Sequence, residues 1–269
     1  MGDGWGRVER PDAEIWFLDT GPTDDERPLV VLLHGLAGYA LEWGSTIAAL
    51  REDFRVVAVD QRGHGSSTRR PDDVSPAAYV ADVVAVLDDL DATSATLVGQ
   101  SMGGHTAMLV ASHHPDRVDR LVLVEAGLGG DDPGGVEAVT RWLRGWPAPF
   151  ADREEFLAFF GGQRLVAEGW ADGLDERDDG LWPRWDADTL GRALAGISTH
   201  EHVDEWARIT APTLVVRGEH GSIPERQVET MRALRPGTQL AVLSGAGHDL
   251  HLEAADALLP VLRRFLADD

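Results

Sequence analysis

The stretch Gly99-Gln100-Ser101-Met102-Gly103 constrains this chain more than any other feature. It follows the apolar run Ala95-Thr96-Leu97-Val98 and precedes a helix-like segment, His105-Thr106-Ala107-Met108-Leu109-Val110-Ala111. Strand, G-x-S-x-G turn and helix, in that order, make a nucleophile elbow. The turn is too tight for side chains on its flanks, so small residues stand two positions before and after the serine. That bend lifts the Ser101 hydroxyl off the end of a sheet. Alone, G-x-S-x-G is a weak pattern that arises by chance in glycine-rich chains, and its bland reading is an ordinary βα turn. The flanking strand and helix give it weight.

The elbow belongs to a longer alternation. Glu14 to Asp19, Leu29 to Leu33 and Phe54 to Val59 read as strands, the second almost wholly apolar and so central. Trp43 to Leu50 reads as a helix. A further helix opens at Ser75-Pro76, with Ser75 as N-cap and proline at the first helical position, and runs through Leu90. After the elbow comes another strand, Arg120 to Val124. Strands alternating with helices predict a parallel sheet covered on both faces. The pattern changes after Gly127. Residues 128–204 are rich in Gly, Asp and Trp, with helical pieces and no clear strand. It resumes with a strand at Thr213 to Val216, a helix from Pro224 to Leu234 and a last strand at Gln239 to Leu243. A terminal helix from about Glu253 to Leu266 is expected to bend at Pro260. Residues 1–127 and 205–269 therefore read as one core, and 128–204 as a helical insertion over it.

Composition narrows the chemistry. The chain has 269 residues and no cysteine, which excludes disulfides, thiolate catalysis and cysteine metal sites. Lysine is absent too, so no lysine base or Schiff base is available. The net charge of −22 argues against nucleic acid or anionic membrane as a partner. Acidic pairs such as Asp72-Asp73 and Asp131-Asp132 read as solvated surface. No apolar run reaches the length of a membrane span, and the first residues lack a signal-peptide pattern, so a cytoplasmic location is expected.

Ser101 needs a base. Elbow enzymes place their histidine on a loop after the last strand. Gly245-Ala246-Gly247-His248-Asp249 follows Leu243 and fits, with His251 the competing candidate three residues on. His248 would take the serine proton and return it to the leaving group. A tetrahedral intermediate also needs donors. Leu33-His34-Gly35-Leu36 ends the buried strand with a His-Gly turn, so the backbone amides of Leu36 and Met102 are the candidate oxyanion hole.

The chain resembles a capped α/β-hydrolase over nearly its whole length. Besides the elbow and His34-Gly35, it carries Asp60-Gln61-Arg62-Gly63-His64-Gly65-Ser66-Ser67, similar to that superfamily's D-x-R-G-x-G-x-S loop. The resemblance implies a mostly parallel central sheet with helices on both faces and a helical cap inserted after the sixth strand. It also implies that Asp60, Arg62 and His64 are scaffold. The third triad member departs from the common pattern. Family members usually carry an acid in a G-x-x-D turn after the strand at 213–216, where this chain has Gly218-Glu219-His220-Gly221. Gly221 cannot orient an imidazole. Two carboxylates compete for the task. Glu125 ends the strand Leu121-Val122-Leu123-Val124, as the acid does in haloalkane dehalogenases and zearalenone-lactone hydrolases. Glu219 lies in the usual loop, two residues early. Glu125 is favoured, since sites form at the carboxyl ends of parallel strands.

Five of nine tryptophans fall in the insertion. A lid needs an apolar underside, and Trp142 and Trp146, spaced i, i+4, share a helix face. Trp43, just after the oxyanion loop, is a third candidate pocket wall. Most of the rings are expected simply to pack the cap on the core. The leading functional reading is a serine hydrolase of a hydrophobic small-molecule ester or lactone, working through an acyl-enzyme, with no cofactor or metal implied. C–C bond hydrolase, amidase or peptidase, thioesterase and perhydrolase chemistry stay open on the same parts. So does a non-catalytic ligand-binding homologue, and a homodimer is left open.

Overall fold

Leu29–Leu33 is apolar at every position and buried at every position, and the rest of the sheet is built outward from it. Its alternate side chains enter two different cores. Val31 and Leu33 join Leu97, Met108 and Val110 on one face; Val30 and Leu32 join Trp43, Leu258 and Phe265 on the other. A strand with two buried faces has no room for polar alternation, which explains its uninterrupted run of Leu and Val.

The structure, a computed structural model, describes residues 4–22, 26–130, 133–198 and 200–267. In chain order the elements are β1 (Gly4–Glu9), β2 (Glu14–Asp19), β3 (Leu29–Leu33), α1 (Gly44–Leu50), β4 (Arg55–Asp60), α2 (Pro76–Asp89), β5 (Ala95–Gln100), α3 (Met102–His113) and β6 (Val118–Val124). Then come α4 (Pro133–Arg144), α5 (Arg153–Phe159), α6 (Arg164–Ala171), β7 (Asp175–Arg177), β8 (Gly180–Trp182), α7 (Ala187–Ile197) and α8 (Val203–Arg208). The chain closes with β9 (Thr213–Gly218), α9 (Glu225–Leu234), β10 (Gln239–Leu243), α10 (Leu250–Glu253) and α11 (Ala255–Ala267). The main sheet has eight strands in the order β1-β2-β4-β3-β5-β6-β9-β10. Its first two strands are antiparallel to their neighbours and the remainder run parallel. The carboxyl ends of β3, β5, β6 and β9 thus come out side by side, and the segment from α4 to α7 follows directly after β6.

The α/β-hydrolase architecture expected from the sequence is the one observed, with three local differences. β1 was not anticipated. It carries two glycines and is largely exposed at the sheet edge, so it has neither strand propensity nor burial to mark it. The segment between β6 and α8 holds a small hairpin, β7–β8, whose strands are three residues each and too short for a period to show. The terminal helix is interrupted at Ala254, and Pro260 sits inside α11. Asp131 and Asp132 lie outside the described residues. Among those described, no helix is long and apolar enough to cross a membrane.

The D-x-R-G-x-G-x-S loop is a hydrogen-bonded brace. Asp60 accepts from the amides of Ala40 (2.6 Å) and Ser66 (2.7 Å). The buried Arg62 guanidinium forks onto both oxygens of Asp82 at 2.6 and 2.7 Å and donates to the Asp73 carbonyl. Removing one member of a buried pair leaves the other desolvated and unpaired. Arg62→Ala is therefore expected to lower unfolding free energy by about 3–5 kcal/mol, read from the midpoint of urea denaturation.

Candidate active site

Ser101 ends β5 and caps α3 with φ 49° and ψ −115°, a strained conformation for a residue with a Cβ. Such a bend costs about 1–3 kcal/mol and persists only where its surroundings impose it. The surroundings here are close backbone approaches. A Cβ on Gly99 would strike the Gly103 carbonyl, one on Gly103 would strike the carbonyl of Leu33, and one on Gly104 would strike Ala126. The glycines two positions either side of Ser101 are thus required by packing, as the motif predicts. The Ser101 amide donates to Val124 O at 3.0 Å, tying the bend to the end of β6.

The proposed donors Leu36 and Met102 line the same cavity as Ser101. Met102 is the first residue of α3, where amides have no helical partner. The Leu36 amide has no backbone partner among the described residues. Two buried histidines shape this loop. His64 Nδ1–H donates to Arg62 O, leaving Nε2 to accept from the Ala37 amide at 3.2 Å, where the chain turns through φ 65°. His34 Nδ1–H donates to Gly35 O and Nε2 accepts from the Gln61 amide. Burial pushes His34 down to about 4 and His64 to about 3, so both are neutral scaffold at pH 7.

His248 stands on the loop between β10 and α10. Glu253 accepts from the amides of Gly247 (2.9 Å) and Asp249 (3.1 Å), and Gln100 Nε2 donates to the His248 carbonyl at 3.0 Å. The loop is therefore held from both ends. Nδ1 of the ring lies 3.3 Å from Glu125 Oε2 and 2.9 Å from Ser222 Oγ. Nε2 has no protein partner among the described residues. Ser101 and His248 line one cavity without a hydrogen bond between them, a contact that in ligand-free enzymes commonly tightens only in the substrate complex.

Glu125 follows β6 with φ 49°, so its side chain turns toward β9. Its Oε1 accepts from the Gly218 amide at 2.8 Å and its Oε2 from the Ser222 amide at 2.7 Å. Burial opposes the anion, but hydrogen bonds from His248, Ser222 and Gly218 outweigh it and hold the carboxyl below its ordinary value. For His248, burial likewise opposes the charge. The bond to Glu125, with Asp249 and Glu253 nearby, outweighs it and raises the imidazole. Glu219 is placed elsewhere: exposed, accepting from the Gly245 amide at 2.8 Å. His251 is buried against Glu42 (3.0 Å) and Trp43, away from the cavity.

Gly221, which stands where relatives were expected to carry the acid, makes this arrangement possible. A Cβ there would fall on the Glu125 carboxylate. Ser222, Gln100 and Glu253 were not anticipated. The only sequence signal for them is adjacency, Ser222 beside Gly221 and Gln100 inside the elbow motif.

The cavity measures about 540 Å³. Apolar side chains from α4, α6 and α7 roof it, among them Val139, Trp142, Leu143, Trp170, Leu194 and Ile197. Of the three tryptophans expected to line it, only Trp142 does. Trp43 is fully buried in the core beneath the sheet, stacked on His251. Trp146 is buried at the hub of the insertion's aromatic cluster, against Trp185, Phe156 and Phe160. Trp170 takes the wall position instead. The arrangement offers a hydroxyl on a strained bend, an imidazole whose far nitrogen is held by a carboxylate, two backbone amides and an apolar-roofed chamber. These are the parts of nucleophilic acyl transfer. Gly221→Ala is expected to dislodge Glu125 and lower kcat by at least roughly tenfold while far-UV circular dichroism stays that of the parent. Steady-state kinetics on a chromogenic ester would read it.

Residues 28–159 match the family described as alpha/beta hydrolase fold. The chain is 31% identical over 259 residues to the mouse (Mus musculus) sn-1-specific diacylglycerol lipase ABHD11, covering 91% of this chain and 82% of that protein. It is 30% identical over 244 residues to Esterase YbfF of Escherichia coli K12, covering 89% and 93%. Among solved structures, E-2-(acetamidomethylene)succinate hydrolase superposes with a TM-score of 0.88 at 22% identity, over 99% of this chain and 100% of that one.

Proposed function

Because the chain belongs to the α/β-hydrolase superfamily, we propose that it is a serine hydrolase of carboxylic esters or lactones with a bulky hydrophobic part. Ser101 Oγ attacks the carbonyl carbon while His248 Nε2 takes its proton. Glu125 fixes the tautomer through Nδ1 and stabilises the imidazolium that forms. The amides of Leu36 and Met102 receive the oxyanion, an interaction worth about 3–4 kcal/mol per donor. The imidazolium then protonates the leaving alcohol, and an acyl-enzyme remains on Ser101. A water deprotonated by His248 attacks it and releases the acid.

The observation that carries this reading is the Glu125 carboxylate on His248 Nδ1 at 3.3 Å, facing the elbow serine across an apolar chamber. The apolar walls favour a hydrophobic acyl or alcohol group, and the lipase and esterase names of the two relatives above point the same way.

Labelling with a fluorophosphonate is expected to modify the parent and not Ser101→Ala. A folded parent that resists the probe would mean a binding protein on a hydrolase scaffold. Glu125→Gln is expected to lower kcat by about 10⁴ with little change in KM, since it misassigns the ring tautomer. Glu219→Gln should leave both constants near those of the parent, and the reverse pattern would make Glu219 the acid. The base must be neutral to act, so kcat/KM should rise with pH through a single inflection. That inflection should lie above the ordinary histidine value, because His248 is raised. Glu125→Gln removes the anion that raises the ring, so its residual activity should show the inflection moved to lower pH; an inflection that stays in place would mean that Glu125 does not hold the imidazole.

A further inference from the structure

We propose that His200, His202 and Glu205 form a binding site for a divalent transition-metal ion, zinc by the character of the donors, beside the wall of the cavity. The three residues follow the local pattern H-x-H-x-x-E, which runs from the end of the insertion into α8. One donor atom from each lies within 4.8 Å of the other two. The His202 Nδ1 to Glu205 Oε2 separation is 3.6 Å, too long for a hydrogen bond. It is close to the roughly 3.3 Å that two ligands subtend on a tetrahedral ion bound at about 2.0–2.1 Å.

The second observation is independent of that spacing. His202 is only 5% exposed, yet neither of its ring nitrogens has a hydrogen-bond partner. Nε2 of His105, whose ring meets His202 edge-on at 4.5 Å, is also buried without one. A buried polar group left unpaired costs about 1–3 kcal/mol, and imidazoles crowd together here where an aliphatic side chain would pack without that cost. A metal ion shared by His202 and Glu205 satisfies a ring nitrogen that no protein atom hydrogen-bonds. The backbone is already held in place for it. The His202 amide donates to Leu128 O at 2.7 Å, and Glu201 bridges to Gly129 and pairs with Arg226.

Two imidazoles and a carboxylate suit zinc, and His200, exposed at the surface, gives an ion a way in. His105 lines the cavity and touches His202, so the ion would brace the cavity wall from outside. It would take no part in chemistry at Ser101.

Untagged protein, stripped with chelator and dialysed, is titrated with Zn²⁺ against a chromophoric competitor, and its melting temperature is followed with and without the ion. One equivalent is expected to bind and to raise the melting temperature. His200→Ala, at an exposed position, and Glu205→Gln are each expected to weaken binding by at least roughly tenfold, with far-UV circular dichroism unchanged. His220→Ala, on a distant exposed turn, should bind as the parent does. Absence of stoichiometric binding, or binding indifferent to both substitutions, overturns the site. Neither readout uses catalytic activity, so the result stands apart from the reaction proposed for Ser101.

Discussion

Burying a carboxylate is the demand around which this sheet end is organised. An ionised carboxyl withdrawn from water costs several kcal/mol unless donors replace its hydration. Glu125, 2% exposed, is met by the amides of Gly218 and Ser222, the Ser222 hydroxyl and the His248 ring. Those donors come from the end of β9, the turn after it and the loop after β10. The register β6–β9–β10 therefore decides whether the anion is tolerated, because a slip along β9 would carry the Gly218 amide away. Gly221 belongs to the same solution. The carboxylate fills the space a side chain would take there, so an acid on β6 and a side chain at 221 exclude one another.

Two non-glycine residues with positive φ, Ser101 and Glu125, end the neighbouring strands β5 and β6. The bends are coupled through the backbone. Ser101 N donates to Val124 O and Glu125 N donates to Val216 O, so each bend is held by the next strand over. Holding two strained residues by ladder bonds fixes the hydroxyl and the carboxylate relative to one rigid sheet. The imidazole, by contrast, sits on a loop. It depends on Gln100 and Glu253 for its position, and those three bonds matter more than their modest individual strengths suggest.

What could be read from the sequence was whatever is local. The elbow, the His-Gly turn, Ser75 as N-cap and the central strand each declare themselves within about ten residues, and the structure contains all of them. The partner of His248 could not be read this way. Its place at the end of a parallel strand favours Glu125 over Glu219, but the contact with His248 itself depends on the crossing of β6 beside β9. Trp43 failed as a pocket wall for a related reason. It lies close to Leu36 in sequence, but the 3-10 turn at Ala40–Trp43 points its ring down into the core beneath the sheet. Trp142 and Trp146 do not share the helix face that their spacing suggested: α4 ends at Arg144, and Trp146 beyond it packs into the aromatic cluster while Trp142, on the helix, meets both that cluster and the cavity. The unpaired rings of His105 and His202 lie far apart in sequence, so nothing local announced their meeting.

The charge around the chamber bears on turnover in the proposed reaction. Its roof is apolar, and the carboxylates on its walls are Glu125 and Asp249. Arg226 is the one arginine among the lining residues, and it is already paired with Glu201 at 2.6 Å. A neutral ester is therefore admitted by desolvation of its hydrophobic part, with no attraction from charge. The product acid, once ionised, meets two nearby carboxyl groups and a surface of net charge −22. Burial raises Asp249 above its ordinary value, which softens that repulsion. The field that contributes nothing to binding thus favours release of the product, and the affinity for substrate has to come from the Trp142 and Trp170 side of the roof.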